Sequence, residues 1–526
     1  MSSSVEAALP ETAPATTGWR PALHYTARDT WLNDPNGLVY YGGQYHLFYQ
    51  HNPFGNVWGN MSWGHATSRD LLHWTEHPVA IACDEEEDIF SGSVVVDHGN
   101  TSGFGTAESP ALVAIYTSAF KAGSGHAGTQ AQSLAFSTDG GMTWSKYAGN
   151  PVLSRNSAHF RDPKVFRYEG DNGPYWVMAA VEAQQQKVVL YRSENLKAWD
   201  FLSEFGPANA DAGEWECPDL FPLAVDGDPD NIKWVLIVNV NPGAVAGGSG
   251  GQYFVGHFDG VSFVADASSL AAPAGVSSLG DAAGATAALR RCLWLDWGRD
   301  CYASVSFSNA PDGRRIIIGW MNNWDYANQL PTAPWRSSMT LARELRLTAH
   351  EGSARLVQEP VLGGGSSGTS LSGTGESLRS GPFDLEDAAF RLPDAVPGTA
   401  QVIDAEILPG SAGQVYFHLL EGEDGNAGTV LSYHPGRAEL ILDRRQSGNT
   451  GFHPKFPSAE AAPLILASGV LKLRIVVDHC SVEVFAQDGQ VVLTDLVFPL
   501  AGQTANRLTA SGGRATVRAL TVTALS

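Results

Sequence analysis

The sequence predicts an all-β protein, a five-bladed β-propeller followed by a C-terminal β-sandwich. Three observations carry this prediction: a composition poor in charge and rich in turn residues, a strand-turn-Trp unit that recurs early in the chain, and a second group of alternating strands beyond a Gly/Ser-rich stretch. Of 526 residues only 17% are charged and 43% are hydrophobic, with 57 Gly, 29 Pro and 15 Trp, whereas about a quarter of an ordinary globular chain is charged. That balance favours strands and turns over long helices.

Taken in order, residues 1–18 carry neither a basic n-region nor an apolar h-region and read as a disordered tail. Residues 19–349 contain the recurring unit: Ser68 to Trp74, Ser137 to Trp144 and Ser193 to Trp199, each a strand end, a polar turn and a Trp. The Trp-to-Trp intervals are 70 and 55 residues. Recurrence of one such unit is the mark of a radial array whose blades pack on their neighbours, and this stretch has room for about five. Three unrelated hairpins are the plainer alternative. Strand-like runs at 44–50, 93–96, 112–117, 175–181, 234–240 and 315–320 fit the array, and no helical stripe interrupts them. Residues 350–376 read as a linker, turning to Gly, Ser and Thr from Gly363. Residues 377–526 resume with alternating runs at 401–408, 415–420, 429–434, 438–442, 470–477, 482–486 and 491–496, the pattern of a β-sandwich.

The net charge of −22 leaves no basic surplus for nucleic acid or an anionic membrane, and no apolar run approaches the roughly 18 residues of a membrane span. A neutral substrate fits better. Trp faces suit sugar rings, although most Trp residues in any fold are core. Cys83, Cys217, Cys292, Cys301 and Cys480 contain no C-x-x-C pair and indicate neither a zinc site nor a disulfide framework; a bond between Cys292 and Cys301 stays open.

Three carboxylates stand in unusual settings. Asp34 sits in Trp31-Leu32-Asn33-Asp34-Pro35-Asn36-Gly37, where Asp-Pro-Asn-Gly has strong β-turn chemistry. On that chemistry the segment is a stiff corner. Asp162, in Phe160-Arg161-Asp162-Pro163, is expected to stay ionised because a guanidinium adjoins it; a surface ion pair is the plain alternative. Glu216, between Trp215 and Cys217-Pro218, is expected to be partly desolvated and so to hold a proton, as a general acid must; otherwise it caps a strand end. One protonated and two ionised carboxyl groups match what glycoside cleavage needs.

At these residues the chain resembles glycoside hydrolase family 32, the invertases, inulinases and levanases. The three motifs occur in that family's order. Segments 58–65, 90–93, 300–304, 319–324, 331–336, 473–478 and 481–485 also resemble it, so the likeness runs from about residue 20 to the end. The resemblance implies a propeller with its site at the mouth of the central funnel, Asp34 as nucleophile, Glu216 as acid/base and Asp162 binding fructose hydroxyls in the transition state. It also implies fructose contacts from Asn33, Gln50, Trp58, Ser91 and Arg161. Trp63, Trp324 and Trp335 join them with core packing an equal reading. Cys301 departs from the family's usual aromatic residue. The implied activity is a retaining β-fructosidase acting on levan, inulin or sucrose, with a levan fructotransferase as the alternative and a non-catalytic fructan-binding protein as a remote one. That chemistry needs no metal or cofactor. Secretion is inferred only because a polymer must be met outside the cell.

Other matches fail on context. Gly247-Gly248-Ser249-Gly250-Gly251 fits G-x-S-x-G without a strand-to-helix elbow. Gly363 to Gly368 fits G-x-G-x-x-G but opens no helix. Asp226 to Asn231 begins like a calcium loop and lacks its Gly. The acidic run Glu85-Glu86-Glu87-Asp88 reads as a solvated face.

Overall fold

A computed structural model describes residues 17–525 except 107, 171–172, 271–286, 364–377, 423–424 and 426. Among the described residues the strands form seven sheets, and helix is confined to short turns. The first sixteen residues of the expected tail lie outside this description, while Thr17–Trp19 forms a 3-10 turn whose Trp19 packs on Phe498.

Five sheets are the propeller blades. Blade I is built from Thr30–Tyr41, Gln44–Asn52, Ser62–Ser68 and Trp74–Ile81; blade II from Glu87–Val96, Leu112–Phe120, Gln130–Ser137 and Ser145–Lys146. Blade III comprises Phe160–Gly170, Gly173–Glu182, Lys187–Ser193 and Asp200–Phe205; blade IV Glu214–Ala224, Ile232–Asn241, Gly250–Phe258 and Phe263–Ala265. Blade V contains Tyr302–Ser306, Ile316–Met321, Arg343–His350 and Ser353–Pro360. The first strand of each blade touches the first strands of both neighbouring blades, so five inner strands close a ring. Trp335–Arg336 adds a short parallel strand beside Thr30 and Trp31, tying the end of the propeller to its beginning.

The strand-turn-Trp unit is the corner between the third and fourth strands of blades I, II and III. In each, the Ser hydroxyl bonds the Asp or Asn two residues on: Ser68 to Asp70 at 3.1 Å, Ser137 to Asp139 at 2.8 Å and Ser193 to Asn195 at 3.4 Å. The indole N–H of Trp74, Trp144 or Trp199 then donates to the carbonyl three residues earlier. Blade IV turns with Asp259 and Phe263 instead, a degenerate copy that a search for Trp passes over.

The expected linker starts too early. Ser353–Pro360 pairs along its whole length with Arg343–His350 as the outer strand of blade V, because its alternate residues Ala354, Leu356 and Gln358 are buried. The Gly/Ser-rich part from 364 to 376 lies outside the described residues. The acidic run is only partly a solvated face: Glu87 is buried and pairs with Lys146 at 2.6 Å.

The sandwich pairs two sheets. One orders Leu378–Ser380, Arg514–Leu525, Ala400–Leu408, Leu471–Asp478, Ser481–Ala486 and Val491–Leu496; the other orders Ala389–Leu392, Ala505–Ser511, Gln414–Glu421, Gly428–His434, Glu439–Gln446 and Ala459–Pro463. It meets the propeller through several buried ion pairs. Arg343 bonds Asp296 at 2.9 Å and Glu483 at 2.6 Å, Arg444 bonds Asp300, and His24 lies 2.7 Å from both Asp478 and Glu483. Stripping one partner from such a pair leaves an uncompensated buried charge, which makes the arrangement specific. All five cysteines are free thiols, so Cys292 and Cys301 do not pair.

Candidate active site

One end of the propeller ring opens on a cavity of about 840 Å³ lined by Asn33, Asp34, Gln50, Trp58, Ser91, Arg161, Asp162, Glu214, Glu216 and Trp324, among others. Three of these ten, Gln50, Trp58 and Trp324, come from a second strand or loops; the other seven belong to four successive inner strands. Each inner strand carries one extra residue against its partner here, with register breaks between Leu32 and Pro35, Phe90 and Gly92, Arg161 and Lys164, Glu216 and Asp219, and Tyr302 and Val305. A β-bulge bends its strand and re-aims the side chains beside it. Five bulges at one level of the ring therefore turn functional side chains inwards.

The bulge of blade I corrects the expected corner at Asp34. Asp-Pro-Asn-Gly does not reverse the chain: it lies within Thr30–Tyr41, because Pro35 has no N–H for the ladder and the strand accommodates it by bulging. Gly37 at φ +54° lies in a second register break, between Asn36 and Val39; a Cβ there would stand 2.8 Å from Phe48 and Val94. Asn36 locks the segment across to blade II by accepting the Gly92 N–H at 3.0 Å. Asp34 accepts hydrogen bonds from Ser91 Oγ at 2.8 Å and Asn33 Nδ2 at 3.1 Å, and Asn33 is held by the Trp31 indole at 2.7 Å. Enclosure by protein, with the nearby Glu216 charge, pushes the Asp34 carboxyl up to about 6, and the two hydrogen bonds only partly offset this.

Asp162 departs from its expected state. Its carboxyl is raised, not lowered, chiefly by burial. The Arg161 guanidinium opposes this from 3.9 Å, but it is turned towards Glu214 and Glu216 instead, and the charges of Glu216 and Asp34 add to the rise. Asp162 sits at φ +63° and Cys217 at φ +44°, a region non-glycine residues enter at a cost. This geometry lets the Cys217 N–H donate to Asp162 Oδ2 at 2.9 Å. The Cys217 thiol lies 3.6 Å from Asp34 Oδ2 and 3.7 Å from Asp162 Oδ2; burial holds it protonated, so it can donate to either carboxylate. Further along the same two inner strands Lys164 and Asp219 form a buried ion pair at 3.3 Å.

Glu216 is not shielded by its neighbours in sequence as expected. Trp215 points away into the core beside Phe205 and Phe254, and Glu216 keeps 22% of its side chain exposed. Its partners come from other blades: Arg161 donates to Oε1 through Nε at 3.2 Å and Nη2 at 3.0 Å, and the Tyr302 hydroxyl donates to Oε2. These contacts fix the carboxyl's direction. Arg161 also donates to Glu214, which in turn accepts from Gln184 at 3.1 Å.

The structure brings Asn33, Gln50, Trp58, Ser91, Arg161 and Trp324 to the same cavity as the three carboxylates. Gln50 is held by its amide donating to the Ile89 carbonyl at 2.9 Å. Trp58 is 46% exposed at the rim. Trp324 stacks on Trp31, and its backbone N–H donates to the Ser249 hydroxyl in the glycine loop that fits G-x-S-x-G. Trp63 and Trp335 lie elsewhere. Trp63 is fully buried against Phe48 and Tyr116, and Trp335 is buried beneath the Arg20 guanidinium. Strand alternation turns both side chains into the packing between sheets. Sequence reasoning assigned nothing to Tyr302, Cys217, Glu214, Gln130, Gln184 or His159. Glu214 had a signal, since residues two apart on a strand share a face; Tyr302 lay in a quoted motif without a role.

Comparison with known proteins gives a consistent picture. The model for the glycosyl hydrolases family 32 N-terminal domain matches residues 24–360, and that for the family 32 C terminal matches residues 369–524. The levanase of Bacillus subtilis (strain 168) is 45% identical over 511 residues, spanning 96% of this chain and 70% of the levanase. The crystal structure of exo-inulinase from Aspergillus awamori superposes with a TM-score of 0.86 at 35% identity, covering 98% of this chain and 99% of that one. The β-fructofuranosidase from Schwanniomyces occidentalis complexed with fructosyl-erythritol gives 0.83 at 30% identity, covering 97% and 98%.

Proposed function

This chain belongs to glycosyl hydrolase family 32, and from that premise we propose that it is a retaining β-fructosidase, releasing fructose from fructans and sucrose. The observation that carries the reading is the meeting of Asp34, Asp162 and Glu216, from three blades, in one cavity beside a set of hydrogen-bonding side chains. The catalytic unit is the propeller through Pro360, with the sandwich from Leu378 onward; the family-model spans support this division.

In the first step Asp34 attacks the anomeric carbon of a terminal fructosyl unit as the bond to the leaving oxygen breaks, and Glu216 gives that oxygen a proton. Asn33 and Ser91 hold Asp34 at fixed aim, and Arg161 with Tyr302 holds Glu216. Asp162 binds fructose hydroxyls as positive charge develops on the ring, with Gln50 and Arg161 assisting. Water then attacks the same carbon, Glu216 takes its proton and Asp34 is released. Trp58 and Trp324 offer ring faces to the sugars at the mouth.

The names of the relatives, levanase and exo-inulinase, favour water over a sugar hydroxyl as acceptor, so free fructose is the expected product and a difructose dianhydride is not. The exo-inulinases are described as extracellular, which supports action outside the cell, where polymer is met. The test is Asp34→Ala, with NMR of the first-formed product of the unmodified enzyme. Abolished turnover of sucrose, inulin and levan, and fructose of unchanged anomeric configuration, are expected. Unchanged turnover, or an inverted anomer, would overturn the reading.

A further inference from the structure

Arg161 is the only guanidinium among the described cavity-lining residues, and it faces more than one acid. Had it served Glu216 alone, it would hold that carboxyl as a carboxylate, since a cation at hydrogen-bond distance favours the charged form. A general acid has to carry a proton when substrate arrives. The structure contains a second claimant on the guanidinium: Arg161 Nη2 donates to both Glu214 Oε2 and Glu216 Oε1. Glu214 and Glu216 stand two residues apart on the inner strand of blade IV, on the same face.

We propose that Glu214 is a positioning residue that divides the Arg161 guanidinium between two carboxyl groups and so leaves Glu216 free to bind the proton it delivers to the leaving group. The inference rests on the acid role given to Glu216 above. Glu214 is suited to the task because it remains charged. Against the cost of partial burial, the hydrogen bond and charge of Arg161 lower its carboxyl, helped by Gln184 and His159. It is also the more exposed of the two acids, at 36% against 22%, so water stabilises its negative charge while Glu216 faces the reacting atoms. The groups around Glu216 are otherwise accounted for. Tyr302 from blade V donates to its other oxygen, Asp34 from blade I and Asp162 from blade III add negative charge, and the Cys217 thiol follows it on its own strand. Of these, Glu214 alone shares the guanidinium nitrogen that bonds Glu216.

The experiment is the pH profile of kcat/KM for sucrose with the full chain, its Glu214→Gln variant and its Glu214→Asp variant. Without the Glu214 charge, Arg161 acts on Glu216 undivided and the acid loses its proton at lower pH. The alkaline limb of Glu214→Gln is therefore expected to move down by about 0.5–1 pH unit, and that of Glu214→Asp to stay within about 0.3 unit of the parent. A merely structural role would lower kcat/KM evenly and leave the limb in place; that result, or an upward move, overturns the proposal. Fructosyl fluoride, whose leaving group needs little protonation, separates this failure from failure of the mechanism. If the parent enzyme shows as strong an alkaline limb on the fluoride as on sucrose, Glu216 is not the acid and both readings fall.

Discussion

Replacing Asp34 by Asn is expected to stabilise the protein increasingly as pH rises, while removing the nucleophile. The carboxyl titrates near 6 in the folded chain and near 4 when unfolded. Its folded value is raised, so the folded state binds the proton more tightly, and stability falls as pH climbs from about 4 through about 6. Above that window the full cost of ionisation is present. A gap of about two pH units corresponds to about 3 kcal/mol, an upper bound because the carboxyl borders an open cavity. Asn does not ionise and escapes this cost. Removing the charge also eases Asp162, whose carboxyl Asp34 helps to raise, so the coupling works in the same direction. The assay is thermal unfolding of parent and variant at one scan rate, at pH 4 and pH 8. With an unfolding entropy of about 1 kcal/mol/K for a chain this long, the Tm of Asp34→Asn minus that of the parent is expected to grow by up to about 3 °C between the two. Comparing the difference across pH cancels the altered hydrogen bonds to Ser91 and Asn33. A difference that stays flat, or shrinks as pH rises, would refute the argument.

The same titration predicts that kcat/KM falls on acidification through about pH 6, because Asp34 must be ionised to attack; an acid limb that survives a shift in buffer but lies far below pH 5 would contradict it. Glu216→Gln should slow sucrose by about 10²–10⁴-fold yet spare fructosyl fluoride in the fructosylation step, read by comparing kcat/KM on the two. Gly37→Ala should cost about 2–4 kcal/mol by denaturant unfolding, since it adds strain at φ +54° to a Cβ placed 2.8 Å from Phe48 and Val94. Asp300→Asn should cost about 3–5 kcal/mol by the same measurement, because Arg444 is buried and would lose its charged partner; a change under 1 kcal/mol would show that the interface charges are relieved by solvent.

Sequence by itself determined what depends on local pattern. The continuous apolar runs of 112–117, 175–181 and 234–240 became strands buried on both faces, because each blade is packed between its neighbours. The Ser-to-Trp units marked three blade corners because their hydrogen bonds close within seven or eight residues. Asp34, Asp162 and Glu216 were legible for a related reason: each stands beside a proline or one residue from it, and proline leaves a trace in any ladder. The tertiary structure decided everything that depends on partners distant in the chain. Asp-Pro-Asn-Gly became a bulge instead of a corner because the residues before and after it pair with Gln44–Asn52 and hold it extended. Asp162 is raised despite its adjacent arginine, because the fold buries it and Arg161 found its acids on the next blade. Tyr302 and Glu214 acquired importance, and Trp63 lost it, through the direction in which a closed ring of five strands turns each side chain. Local chemistry chose the residues, and closure of the ring chose their neighbours.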